Sequence, residues 1–308
     1  MNTHAITVSD LDTLAADTPA ARSGEDSPGV RSAVADTGAP ATNSPADAIP
    51  PAFSGFAGRF QQIRPFVLPA AFGLAVLALW EFIVWVTNYP PSILPAPTAI
   101  LVSLVENRIL LLENVPATAG VALGGFAIAL IAGIAISVAM TWSLSLKEAF
   151  YPNIIAFQIV PKVAWAPMFV LWLGIDMESR LGFATFISIF PIIISMTAGL
   201  SNTDPSMLKL CRALTANKWQ MLVYVRFPYS LPYLFSAMKI SITLAMIGVI
   251  VGEFITSQQG LGYVILISAG RSDIDLMLAA VLMLCFIGLI FYGLVELGTW
   301  LVKRWFGQ

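Results

Sequence analysis

The chain has 308 residues, 57% of them hydrophobic and only 11% charged, with a mean hydropathy of +0.81. Soluble domains carry about a quarter charged residues, so this composition excludes a water-covered globular enzyme. Sixteen Lys+Arg against 18 Asp+Glu leave a net charge of −2, without the basic excess of a nucleic-acid binder.

Charge divides the chain in two. Residues 1–58 hold two Arg against seven acids, while the remainder holds 14 bases against 11 acids. Residues 1–52 are rich in Ala, Ser, Thr, Asp, Gly and Pro and cannot bury enough surface to offset chain entropy, so they read as a disordered tail. They lack the basic start and apolar run of a secretory signal peptide. Residues 53–65 turn amphipathic and basic at Arg59 and Arg64, as a segment lying on a membrane face does.

A bilayer core about 30 Å thick needs roughly 20 apolar helical residues. Six stretches qualify: 66–87, 115–141, 150–173, 181–199, 231–256 and 275–302. The third carries Pro161 and Pro167. Prolines in a span need neighbours to satisfy the freed carbonyls, so this span is expected inside the bundle. Gly124, Gly125 and Gly133 on the second span allow close helix approach. With the N-terminus inside, nine bases fall on the cytoplasmic side and three outside. That bias predicts cytoplasmic N- and C-termini and a 66–308 membrane body.

The segment 201–230 is a long loop with four bases, Lys209, Arg212, Lys218 and Arg226. Asn202-Thr-Asp-Pro205 offers a helix start. Met207, Leu210, Cys211, Leu214, Trp219 and Leu222 then recur at helical spacing. Two short amphipathic helices joined near 215–218 follow, ahead of Pro228 and Pro232. A membrane span has no use for this appendage; it suits contact with a soluble partner.

This segment resembles the cytoplasmic motif of ABC-importer permeases: Glu-Ala-Ala, three residues, Gly, nine residues, Ile-x-Leu-Pro. Lys209-Leu210-Cys211 stand at Glu-Ala-Ala, Thr215 at Gly, Val225 at Ile and Phe227-Pro228 at Leu-Pro. The frame fits, while Lys209 and Thr215 depart from it. A non-Gly residue at a left-handed turn costs about 1–2 kcal/mol, so Thr215 implies either a different turn or altered docking. ILPAPTAIL at 93–101, VPKVAWAPMFVLWLGID at 160–176 and GVIVGEF with GLGYVI at 248–265 resemble elements of the nitrate/sulfonate/taurine group, in the right order.

The resemblance implies an all-α integral membrane protein with the six-helix type I ABC importer permease fold, in a bacterial inner membrane. It implies a second permease copy, two ATPase subunits that hold ATP and Mg, and a periplasmic or lipid-anchored solute-binding protein. Lys209, Leu210, Cys211, Ala213, Leu214, Thr215, Ala216, Trp219 and Pro228 become the ATPase-coupling residues. The cargo it implies is a small solute: a sulfonate, nitrate, an aromatic acid or a vitamin.

The chain has no Gly-x-x-x-x-Gly-Lys-Ser/Thr phosphate loop, and its one histidine, His4, lies in the tail. Cys211 and Cys285 are too few for a disulfide framework or zinc site and read as apolar fillers. No catalytic residue, metal or cofactor is expected in this chain. Glu253, near the end of the fifth span, reads as an interfacial carboxylate or as a latch on the passage. Glu81 poses the same choice in the first span. Lys239 and Lys162 read as snorkelling bases or as coupling and lining groups respectively. Trp165, Trp172, Phe190 and Met246 are either core or passage lining, and Gly260 and Gly262 a turn or a gating segment. The alternative, a secondary transporter or channel, typically has several intramembrane acids and paired broken helices in inverted repeats, whereas this sequence shows scattered single charges and no repeat. An intramembrane enzyme lacks paired catalytic side chains.

Overall fold

The computed structural model describes residues 54–256 and 258–306, with side chains over 67–256 and 258–304. The tail reading of 1–52 lies outside these residues, as do the side chains of 53–65. Among the described residues every regular element is a helix: α1 (Ser54–Thr87), α2 (Pro97–Glu106), α3 (Arg108–Trp142), α4 (Leu144–Ile159), α5 (Ala166–Leu173), α6 (Met177–Ser201), α7 (Pro205–Ala213), α8 (Lys218–Met221), α9 (Phe227–Thr256), α10 (Leu261–Gly270) and α11 (Ile274–Phe306). Five stretches are long and apolar enough to cross a membrane, and six if the bent pair α4–α5 counts as one. The expected span positions therefore recur, with α3 starting earlier than its apolar run.

The core is α6 held between α3 and α9. Small residues set its spacing. A Cβ added at Gly125 would stand 2.7 Å from that of Ala184, and one at Gly133 2.7 Å from an Ile192 methyl. Gly248 of α9 meets the other side of Ala184, at 2.9 Å from its Cα. Lipid gives no hydrophobic drive between helices, so this close packing is what holds them. Around the trio, α10 and α11 pack together and α2 packs on α11.

The third span breaks as its prolines require. Val160 and Pro161 are extended, a short 3₁₀ turn covers Lys162–Trp165, and the axis bends by 95°. A residue before proline avoids the helical region. The expected interior placement does not hold within the single chain: α4 has no buried residue and α5 has only Ala166. Lys162 compensates for the lost helix geometry, since its Nζ donates to the Gln158 carbonyl at 3.2 Å. The Lys162 tip thus caps the break locally while its ammonium stands over the Phe190 ring of α6.

Two short helices stand within 201–230 as expected, and α9 begins at Phe227 rather than near 231. α7 starts at Pro205 and α8 at Lys218. α8 then runs through a π-turn at Leu222–Arg226 straight into α9. The wide turn has a cause in Pro228, whose missing N–H and ring disfavour a regular helix one turn back.

Candidate functional site

Two groups of residues stand at opposite ends of the core, separated by the 25 residues of α6, about 37 Å at the helical rise. The first is α7–α8. The Asp204 carboxylate accepts from the Ser206 N–H at 2.8 Å and Pro205 occupies the first turn. At the other end of α7 the Ala216 N–H donates to the Cys211 carbonyl at 2.9 Å and the Thr215 N–H to that of Arg212 at 3.0 Å. This is a Schellman termination with Thr215 at the left-handed position, φ 56°. The turn is left-handed after all, so the backbone keeps the motif's geometry in spite of the residue. Asn217 and Gln220 then form a reciprocal capping box for α8.

Between its caps, α7 presents apolar side chains to solvent. Leu214 is 71% exposed and Leu210 55%. Lys209 and Ala213 are also exposed, whereas Cys211, Ala216 and Pro228 are half-buried. Trp219 is exposed and lies 6.1 Å, ring to ring, from Trp142 at the end of α3. Lys147 Nζ donates to Ser201 Oγ at 2.8 Å, tying the start of α4 to the end of α6 nearby.

At the far end, Glu253 is fully buried. Its Oε1 accepts from Thr118 Oγ1 and its Oε2 from the Gly262 N–H, both at 2.7 Å. Thr118 Oγ1 in turn accepts from the Leu261 N–H at 2.8 Å, and Asn114 Oδ1 from the Gly260 N–H at 2.7 Å. Three side chains thereby satisfy the free N–H groups that begin α10, and a carboxylate suits that end of a helix. Gly260 has φ 109°, and a Cβ there would run into the Glu253 carboxylate. A Cβ at Gly262 would come within 2.8 Å of it. Both glycines are therefore required by contact with Glu253, and Gly260 by the turn as well. Arg180, also buried, adds a counter-charge to Glu253. Two adjoining cavities of about 610 and 340 Å³ share Arg180, Met177 and Gln259 in their walls.

The remaining candidates fall elsewhere. Lys162, Trp165 and Phe190 come together in an aromatic cluster. The Lys162 ammonium stands 5.5 Å over the Phe190 ring, and Phe186 lies 5.3 Å from Phe190 and 6.0 Å from Trp165. Met246 is buried in the main apolar core, and Trp172 is exposed beside Phe169. Lys239 does not merely snorkel: it pairs with Glu296 of α11 and lies over the Tyr292 ring. Glu81 accepts from the N–H and hydroxyl of Thr98, at 3.2 and 2.8 Å, and so caps α2 from α1. Sequence reasoning missed Asn114, Thr118, Arg180 and Glu296. Asn114 and Thr118 did carry a signal, two polar residues four apart on one face of an apolar span.

Residues 125–298 match the family model described as the binding-protein-dependent transport system inner membrane component. The chain belongs to this family. It is similar to a probable ABC transporter permease protein of Haemophilus influenzae, at 30% identity over 74% of this chain and 92% of that one. It also resembles the riboflavin transport system permease protein RibX of Chloroflexus aurantiacus, at 34% identity over 80% and 94%. Among solved structures, the methionine ABC transporter MetNI in an inward-facing conformation matches with a TM-score of 0.54. That match has 17% identity and covers 65% of this chain and 97% of the other, a likeness of fold. The chain is the transmembrane permease subunit of an ATP-driven importer fed by a binding protein.

Proposed function

We propose that two copies of this permease pair around the passage, that α7 of each is gripped by an ATPase subunit holding ATP and Mg, and that a binding protein outside delivers the cargo. The observation that carries the reading is the capped amphipathic α7, with Leu210 and Leu214 left exposed at 55% and 71%. A groove on a soluble partner suits that face. The exposed bend at Pro161, with the Lys162–Trp165–Phe190 cluster, is the face turned to the second copy and the passage. The Glu253 network latches α10 at the outer mouth.

Both termini lie in the cytoplasm in this reading, on the strength of the base count. Cysteines at Lys147 and Asn217 then react only from inside, and cysteines at Asn107 and Gly270 only from outside; a reversal at either pair defeats it. The cargo is a small heteroaromatic of vitamin type. Relatives at 34% and 31% identity are named for riboflavin and formylaminopyrimidine transport, whereas the sulfonate, taurine and nitrate permeases stand at 24–27%.

Leu214→Asp tests the docking. Burying a Leu contributes about 1.5–3 kcal/mol, so the variant reaches the membrane at normal levels yet binds the ATPase at least tenfold more weakly and imports nothing. ATP-dependent import by that variant refutes the assignment.

A further inference from the structure

Beside α7 lies a feature that the docking face does not use. Arg212 of α7, Lys218 of α8 and Arg226 of the π-turn line one cavity of about 160 Å³, together with Thr141 and Trp142 at the end of α3 and the buried Leu222. No acid lines it. Among the described residues none of the three bases has a carboxylate partner. A space of this size has room for one phosphate-sized anion.

The cavity turns away from the partner-facing side of α7. Leu210 and Leu214 are four residues apart and share a face, while Arg212 is two from each and points to the opposite one. Behind Arg212 stands the end of an apolar span bearing Trp142, a residue type that anchors spans at the lipid head-group level. Three converging cations beside such an anchor match a phosphate group better than a protein carboxylate.

We propose that this cavity binds a phosphate-bearing anion, supplied by the head group of an anionic lipid or by free phosphate. The anion bridges α7, α8 and the base of α9 and holds α7 in its docking orientation.

The test uses the full chain purified with its ATPase, in nanodiscs of phosphatidylcholine alone, with added phosphatidylglycerol, or with millimolar inorganic phosphate. Backbone hydrogen exchange over 205–221 is the readout. Slower exchange with phosphatidylglycerol alone supports the proposal and assigns the anion to lipid; slower exchange with inorganic phosphate supports it and assigns free phosphate. Arg226→Gln removes about tenfold of that protection, and Lys218→Gln, at an exposed site, repeats the effect should the first variant fold poorly. Unchanged exchange in both anionic conditions overturns the proposal. So does equal protection in the wild type and both variants, or loss of the ATPase from Arg226→Gln in phosphatidylcholine alone, which would make the cations a protein contact.

Discussion

The two ends of the core obey opposite rules. At the α10 end the helix start is met within the chain: Glu253, Thr118 and Asn114 take up its first N–H groups. At the α7 end the backbone is capped with equal care, yet Leu210, Leu214 and Trp219 stay exposed and Thr215 holds a left-handed turn. One end is complete alone. The other is capped in its backbone and leaves apolar side chains exposed, which is what the proposed docking requires.

Substitutions at each end can break that contrast. The largest effect falls on Glu253→Ala, which leaves the Gly262 N–H and the Thr118 hydroxyl without their buried acceptor and removes the charge that Arg180 offsets. Breaking a buried charged network costs about 3–5 kcal/mol, so the detergent-solubilised permease should melt well below the wild type; a loss under about 1 kcal/mol would mean that the network is dispensable. Leu214→Asp comes next, and its effect should appear in ATPase binding with no change in melting temperature. A stability loss equal to that of Glu253→Ala would erase the distinction between the two ends.

Gly262→Ala is smaller. The added methyl meets the Glu253 carboxylate and side chain at 2.8–2.9 Å, and overpacking of this kind costs about 1–3 kcal/mol. Proteolysis at the α9–α10 junction should accelerate accordingly. The smallest effect runs the other way. Thr215→Gly removes the left-handed penalty of about 1–2 kcal/mol, so amides at the end of α7 should exchange more slowly, and faster exchange would show that the threonine side chain holds the turn. Transport need not improve, because the proposed docking face is Leu210 and Leu214 and the backbone already holds the turn.

How much of this was legible beforehand depends on the range of the interactions. Hydropathy located the spans because lipid acts on each stretch separately. The α7–turn–α8 pattern was legible because caps such as Asp204 and Asn217 are local. By contrast α2 and α10 fall outside the six expected spans, since ten apolar residues are too few to cross a membrane. Glu253 stands out in the sequence as an expensive carboxylate, but its partner Thr118 lies 135 residues away and carries no local mark of the pairing. Lys239 and Glu296 likewise looked like separate charges until α9 and α11 brought them together. The proline-broken span was located from its prolines, but what covers it was not legible, because proline reports the break and not its neighbours; within one chain α4 has no buried residue.

The first span has a further consequence. None of the apolar window in Val67–Thr87 is buried by the rest of the chain, and its hydrogen bonds to the later helices run through Glu81 and the start of α2. Such a helix cannot wait for tertiary neighbours to stabilise it; lipid alone must accept it as it leaves the ribosome. It can therefore be inserted first, as an autonomous unit, and fix the handedness of threading for everything that follows. Co-expressing the chain as two pieces cut within 88–96 should still give membrane-inserted halves that co-purify, and the Glu81→Leu version should insert equally well yet separate from its other half.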